Sequence, residues 1–179
     1  MENITFSKYP LKSLLIYYLA TILHYLFGYF GILIAFDYSS AGKIVSAAYL
    51  CFAIVQMYIL MPMMVCPNCA YTNKPEMLCI SGLNVIARKF FPKGDLNNFK
   101  SRSEGILCYN NLYMSAKILP VLIILPFLFI NFSWALLLLL ISVIGLLLLR
   151  IFYIFKKIAC NHCLVRNICP NAISMGIGE

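Results

Sequence analysis

Cys66-Pro67-Asn68-Cys69 and Cys160-Asn161-His162-Cys163 are two C-x-x-C pairs set far apart in the chain, each followed by one more cysteine, Cys79 and Cys169. A C-x-x-C pair on a tight turn presents two sulfurs to a single ion, and two such pairs complete a tetrahedron with metal–sulfur distances of about 2.3 Å for zinc. The spacing therefore makes Cys66, Cys69, Cys79, Cys160, Cys163 and Cys169 the candidate ligands, with Cys108 and His162 as further ones. Six thiols exceed one tetrahedral ion and fall short of two. Zinc and an iron–sulfur cluster both remain open, and so does a thiol–disulfide relay, the other chemistry of paired thiols.

For these groups to meet, the chain between them must return to the place it left. Of its 179 residues, 63% are hydrophobic and 11% charged. So short a chain cannot bury that much apolar surface in water, whereas a bilayer accepts helices that are apolar all round. Apolar runs at 14–36, 44–65, 112–132 and 135–158 each approach the ~20 residues that cross hydrocarbon. The first run is too long for a signal-peptide core and lacks a small-residue cleavage site, so it is read as a mature helix. The fold expected is an all-α integral membrane protein, residues 1–179 forming one domain of four transmembrane helices in two hairpins. A cysteine-rich loop at 66–111 and a tail at 159–179 follow the second and fourth helices. Were the fourth helix unbroken, Cys169 would point about 180° from Cys160, so the chain must turn before Cys169.

All 14 Lys and Arg residues except Lys43 fall on the side holding the N-terminus, the long loop and the tail. By the positive-inside rule that side is cytoplasmic, so both termini and the cysteine-rich cap are expected in a reducing compartment. Lys117, near the start of the third run, is expected to snorkel, and Pro120 and Pro126 to bend the helix. Within the loop, a short amphipathic helix from Gly82 to Phe91, capped by Ser81, places Leu83, Ile86, Ala87, Phe90 and Phe91 on one arc. Asn84, Arg88 and Lys89 fall on the other, the pattern of a helix in the membrane interface with Arg88 and Lys89 facing anionic lipid headgroups. The partners implied are the bilayer, those headgroups and a cytoplasmic protein docked on the cap. Nucleic acid is excluded, because the basic residues flank hydrophobic runs.

His24 lies near the middle of the first run, where an ionisable residue points to function. In a hairpin turning near residue 40, positions summing to about 80 share a depth, which pairs His24 with Gln56 by hydrogen bond. The pair reads as a structural link or as a quinone or proton site. Gly28 and Gly31 permit close helix approach, the methionines at 57, 61, 63 and 64 read as packing, and Cys51 reads as a small apolar filler.

Cys-Pro-Asn-Cys resembles a zinc-ribbon knuckle, which implies ligand geometry and no activity. Cys169-Pro170 resembles the close of bacterial ferredoxin cluster motifs, although their C-x2-C-x2-C-x3-C run is missing. In helix count, a C-x-x-C and a candidate quinone site, the chain resembles the four-helix thiol oxidoreductases such as DsbB and vitamin K epoxide reductase. It departs from them in having both thiol groups on the cytoplasmic side, each with three members. The expected function is a membrane-anchored protein with a cysteine-ligated zinc or iron–sulfur centre, docking a partner or passing electrons. The alternative is an oxidoreductase exchanging thiols with a quinone-like partner. With six acidic residues, widely scattered, and none inside a span, acid–base catalysis and ion transport find little material.

Overall fold

The computed structural model of the chain describes residues 5–99 and 109–177, with the backbone alone at 109–112. Its architecture is all-α, with four helices long and apolar enough to cross a membrane: Leu11–Ala35, Ser40–Asn68, Tyr113–Ile130 and Trp134–Ala159. The protein is accordingly read as integral to a membrane. Large apolar side chains such as Leu19, Leu122, Phe129 and Leu138 face outward from the bundle, a surface that only a hydrocarbon solvent satisfies.

The first helix, α1 (Leu11–Ala35), starts directly after Pro10. It ends where Asp37 and Tyr38 take left-handed backbone angles, φ 49° and 55°. That reversal brings Ser39 into place to accept a hydrogen bond from Gly42 N at 3.1 Å. The capping starts α2 (Ser40–Val55) four residues ahead of the apolar run that announces it. The second span then widens into a π-helical turn, Gln56–Leu60, before a last α-turn, Met61–Met64. Pro62 cannot donate to the carbonyl four residues earlier, and the wider turn relieves that clash.

The α1 helix is central, packing against the other three spans. Close approach rests on its glycines, as expected: a Cβ at Gly28 would lie 2.8 Å from the Tyr49 hydroxyl and 3.1 Å from Pro120 Cβ. Ile32, Ala53, Met57, Ile124 and Ile154 fill the core. The short helix α3 (Leu83–Phe90) lies in the loop, followed by α4 (Tyr109–Ile130), which runs through Pro120 and Pro126, and α5 (Trp134–Leu148). The fourth span continues from α5 as a π-helical stretch, Leu149–Ala159, and stops one residue before Cys160. The chain then turns through residues 160–169 before α6 (Pro170–Ser174), the reversal that the spacing of Cys160 and Cys169 requires.

Helix α3 departs from expectation in its polar face. Its cap position is Gly82, at φ 64° and without a side-chain bond, while the Ser81 hydroxyl lies 3.3 Å from Cys79 Sγ. Leu83 and Ala87, expected to face the membrane interface, are instead buried in the protein core, and so is Asn84. Its amide donates to the carbonyls of Tyr71 at 3.0 Å and Met77 at 2.9 Å. Arg88 Nη1 likewise donates to the Met77 carbonyl at 3.2 Å and to that of Lys74. The loop before α3 has only short 3-10 turns and one isolated bridge, which leave carbonyls such as those of Lys74 and Met77 to pair, and this face supplies the donors. Arg88 thus clamps the loop, and the residues that α3 exposes are Val85, Lys89 and Phe90.

Candidate metal centre

Each C-x-x-C pair follows a span whose end is wound as, or interrupted by, a π-helix, and both pairs fold into the same backbone turn. Cys69 N donates to Cys66 O at 3.1 Å and Thr72 N to Cys69 O at 3.0 Å. At the second pair, Cys163 N donates to Cys160 O at 3.2 Å and Arg166 N to Cys163 O at 3.3 Å. Two successive steps of three residues hold the cysteines of each pair on one side of its turn.

Local contacts fix both turns. Asn68 donates to Met64 O at 3.1 Å and accepts from Asp95 N at 3.1 Å. Gly94 N donates to Pro67 O at 3.1 Å. Only glycine fits there, since a Cβ at 94 would stand 2.8 Å from Asn68 Cγ. In the second turn Arg166 Nη1 donates to Asn161 O at 3.0 Å.

The N-terminal lead, which carries no motif, clasps the two turns together. Phe6 N donates to His162 O at 2.9 Å, and the two rings stack with centroids 4.5 Å apart. The Tyr71 hydroxyl donates to Phe6 O at 2.7 Å and accepts from Leu164 N at 3.4 Å. Leu78 N donates to Ser7 O at 3.1 Å, Tyr9 N donates to Leu78 O at 3.0 Å, and the Tyr9 hydroxyl donates to the Ala159 carbonyl. The loop, the lead and the tail therefore occupy one end of the bundle.

At that end a cavity of about 200 Å³ is lined by Cys66, Cys69, Cys79, Cys160, Cys163 and Cys169 together, with Tyr17, Tyr113 and Phe155 also in its wall. All six cysteines are free thiols. Among the described residues, no three His, Cys, Asp or Glu side chains stand where a single metal ion could be shared. His162 is stacked on Phe6 and does not line the cavity, Cys108 lies outside the described residues, and Cys51 is on the outer face of α2 instead of filling the core. Burial pushes the Cys160 thiol up to about 12 and the Cys163 thiol up to about 11, and it raises Cys69 further still. In the absence of a metal these thiols are protonated at neutral pH.

A second polar layer adjoins the first inside the bundle, and it differs from the expected His24–Gln56 pair. His24 Nε2 donates to the Lys117 carbonyl at 3.0 Å, while the buried Gln56 amide has no hydrogen-bond partner among the described residues. Helix α4 packs on α1 at this depth and supplies the carbonyl. Lys117, expected to snorkel, is fully buried with Nζ 3.4 Å from the centroid of the Tyr25 ring. Arg150 is buried too, its Nη1 donating to Thr21 Oγ1 at 2.8 Å and its guanidinium 4.5 Å from the Tyr17 centroid. The sequence signal was clearer for Arg150, which stands well inside the fourth apolar run, than for Lys117, which lies one turn from the start of its span.

No family model, curated protein or solved structure matches this chain. Its chemistry rests on its own residues.

Proposed function

We propose that this protein is a membrane-anchored electron-transfer module whose two cysteine turns hold an iron–sulfur cluster at the cytoplasmic end of a four-helix bundle. The observation that carries the reading is the single cavity lined by six thiols drawn from two distant stretches of chain. Four tetrahedral sulfurs around one zinc would stand about 4 Å apart. A polynuclear core, whose thiolates stand farther apart than the four around one zinc, is the occupant proposed for the open volume that the six thiols line. Cys66, Cys69, Cys160 and Cys163 are the ligands suggested by the paired turns, with Cys79 and Cys169 able to substitute or complete the set. When bound, the cluster supplies one-electron chemistry. The chain supplies a rigid double turn, a surround of tyrosine and phenylalanine rings that limits water, and a clasp that closes the site.

Cytoplasmic placement rests on the distribution of Lys and Arg, now without Lys117 and Arg150, which the bundle buries.

Anaerobic purification in detergent, followed by iron, acid-labile sulfide and zinc determination, tests the proposal. Iron with matching sulfide, and a broad visible absorbance that bleaches on reduction, is the expected result. Stoichiometric zinc replaces the cluster with a structural ion and the electron carrier with a docking cap. Neither metal removes the centre altogether.

A further inference from the structure

Two buried basic side chains, Lys117 and Arg150, lie beneath the cavity with no anionic partner among the described residues. None of the four spans contains an Asp or Glu. Lys117 Nζ and Arg150 Nε and Nη2 are buried without a hydrogen-bond partner among the described residues. Charges so placed in a membrane bundle are costly and are retained where they meet a partner. The rings around them indicate its direction. The Arg150 guanidinium lies 4.5 Å from the Tyr17 centroid, 5.2 Å from that of Tyr113 and 5.4 Å from that of Phe155, and Lys117 Nζ lies 5.5 Å from that of Tyr113. Tyr17, Tyr113 and Phe155 are also wall residues of the six-thiol cavity. One layer of aromatic side chains thus separates two cations from a cluster of groups that become anionic when they bind metal.

We infer that Arg150 and Lys117 are the fixed counter-charges of a thiolate-ligated centre in this cavity, setting its stability and its ease of reduction through the ring layer. The inference rests on the metal-centre reading above. Four thiolates around a divalent ion, or around a cluster core of the same charge, leave a net double negative charge, and the two basic residues match it. Rings and helix interior hold water away, so salt screens the attraction little. Removing a cation should make an added electron less welcome and the thiolates easier to protonate and lose.

The test uses the full-length protein, purified anaerobically with its metal, as wild type, Arg150→Gln, Lys117→Gln and the charge-retaining Arg150→Lys. Metal release to excess EDTA is followed by absorbance and by elemental analysis, and the midpoint potential is measured wherever iron is bound. The neutral variants should release metal roughly tenfold faster than wild type, the order of effect of one unscreened charge at this range. An iron centre in them should have a more negative potential, and Arg150→Lys should restore both values toward wild type. Gel filtration of each variant separates this from misfolding. Neutral variants that remain monodisperse and keep wild-type release and potential overturn the inference and leave the centre standing. An Arg150→Lys variant as impaired as Arg150→Gln overturns the charge argument in favour of guanidinium packing. A wild type free of metal overturns both the centre and its counter-charges.

Discussion

The thiol cavity and the cationic layer beside it share three aromatic rings, yet they are built in opposite ways. The cavity is assembled from short motifs: each backbone turn is local, and the long-range step is only to bring two of them together. The cationic layer has no motif at all. Arg150 meets Thr21, and His24 meets the Lys117 carbonyl, through helix packing alone. One region is local geometry repeated twice, and the other exists only once the bundle has closed. Chemistry carried by turns should therefore fail when its ligands change, and chemistry carried by packing when the helices move.

The largest separation of the two should come from the double substitution Cys66→Ser and Cys163→Ser. It should abolish metal binding, read by elemental analysis, while the helical circular dichroism of the bundle remains. Loss of helix along with the metal would mean that the regions are one cooperative unit.

Acidity should act next, and on the thiol region alone. Each liganding thiol gives up a proton on binding metal, and burial holds Cys160 and Cys163 at about 12 and about 11. Metal affinity should therefore fall as pH is lowered, by up to about tenfold per pH unit for every proton released. Competition against a chelator between pH 8 and 6, with proton release followed by a pH dye, measures it. A flat profile would mean that the ligands are already ionised.

Gly28→Ala addresses the packed region. Its methyl would press on Tyr49 and Pro120, costing about 1–3 kcal/mol of bundle stability in a thermal scan, with metal stoichiometry unchanged. The smallest effect expected is from Tyr9→Phe, which removes the hydroxyl that bonds the Ala159 carbonyl and leaves that acceptor unpaired. About 1 kcal/mol should be lost, with faster amide exchange confined to the tail.

These differences also explain what could be read from the chain itself. Four apolar runs placed the spans to within a few residues, and the early start of α2 follows from a Ser39 cap that hydropathy does not register. That the six cysteines would meet around one cavity was legible from their spacing and from the return of the chain after the fourth span. The pairing of His24 with Gln56 failed because it weighed only the α1–α2 hairpin, while α4 approaches α1 at the same depth and offers a carbonyl. The loop bonds of Arg88 were hidden for a related reason: amphipathic periodicity identifies a polar face but not which loop carbonyls it meets. The clasp of Phe6 and Tyr9 was silent, since backbone bonds between distant segments leave no side-chain pattern.

That clasp has a consequence for the order in which the molecule is made. The lead that binds His162 and Ala159 leaves the ribosome long before those two partners do. At about 5–20 residues per second, several seconds pass between synthesis of Cys79 and of Cys160. Throughout that interval Cys66, Cys69 and Cys79 have no second turn to face, and under the proposed topology they wait in the cytoplasm with their mates unmade. If the cavity holds the proposed metal centre, its metal must arrive after insertion of the last helix, and a nascent chain stalled before it would present a half-site open to any scavenging ion.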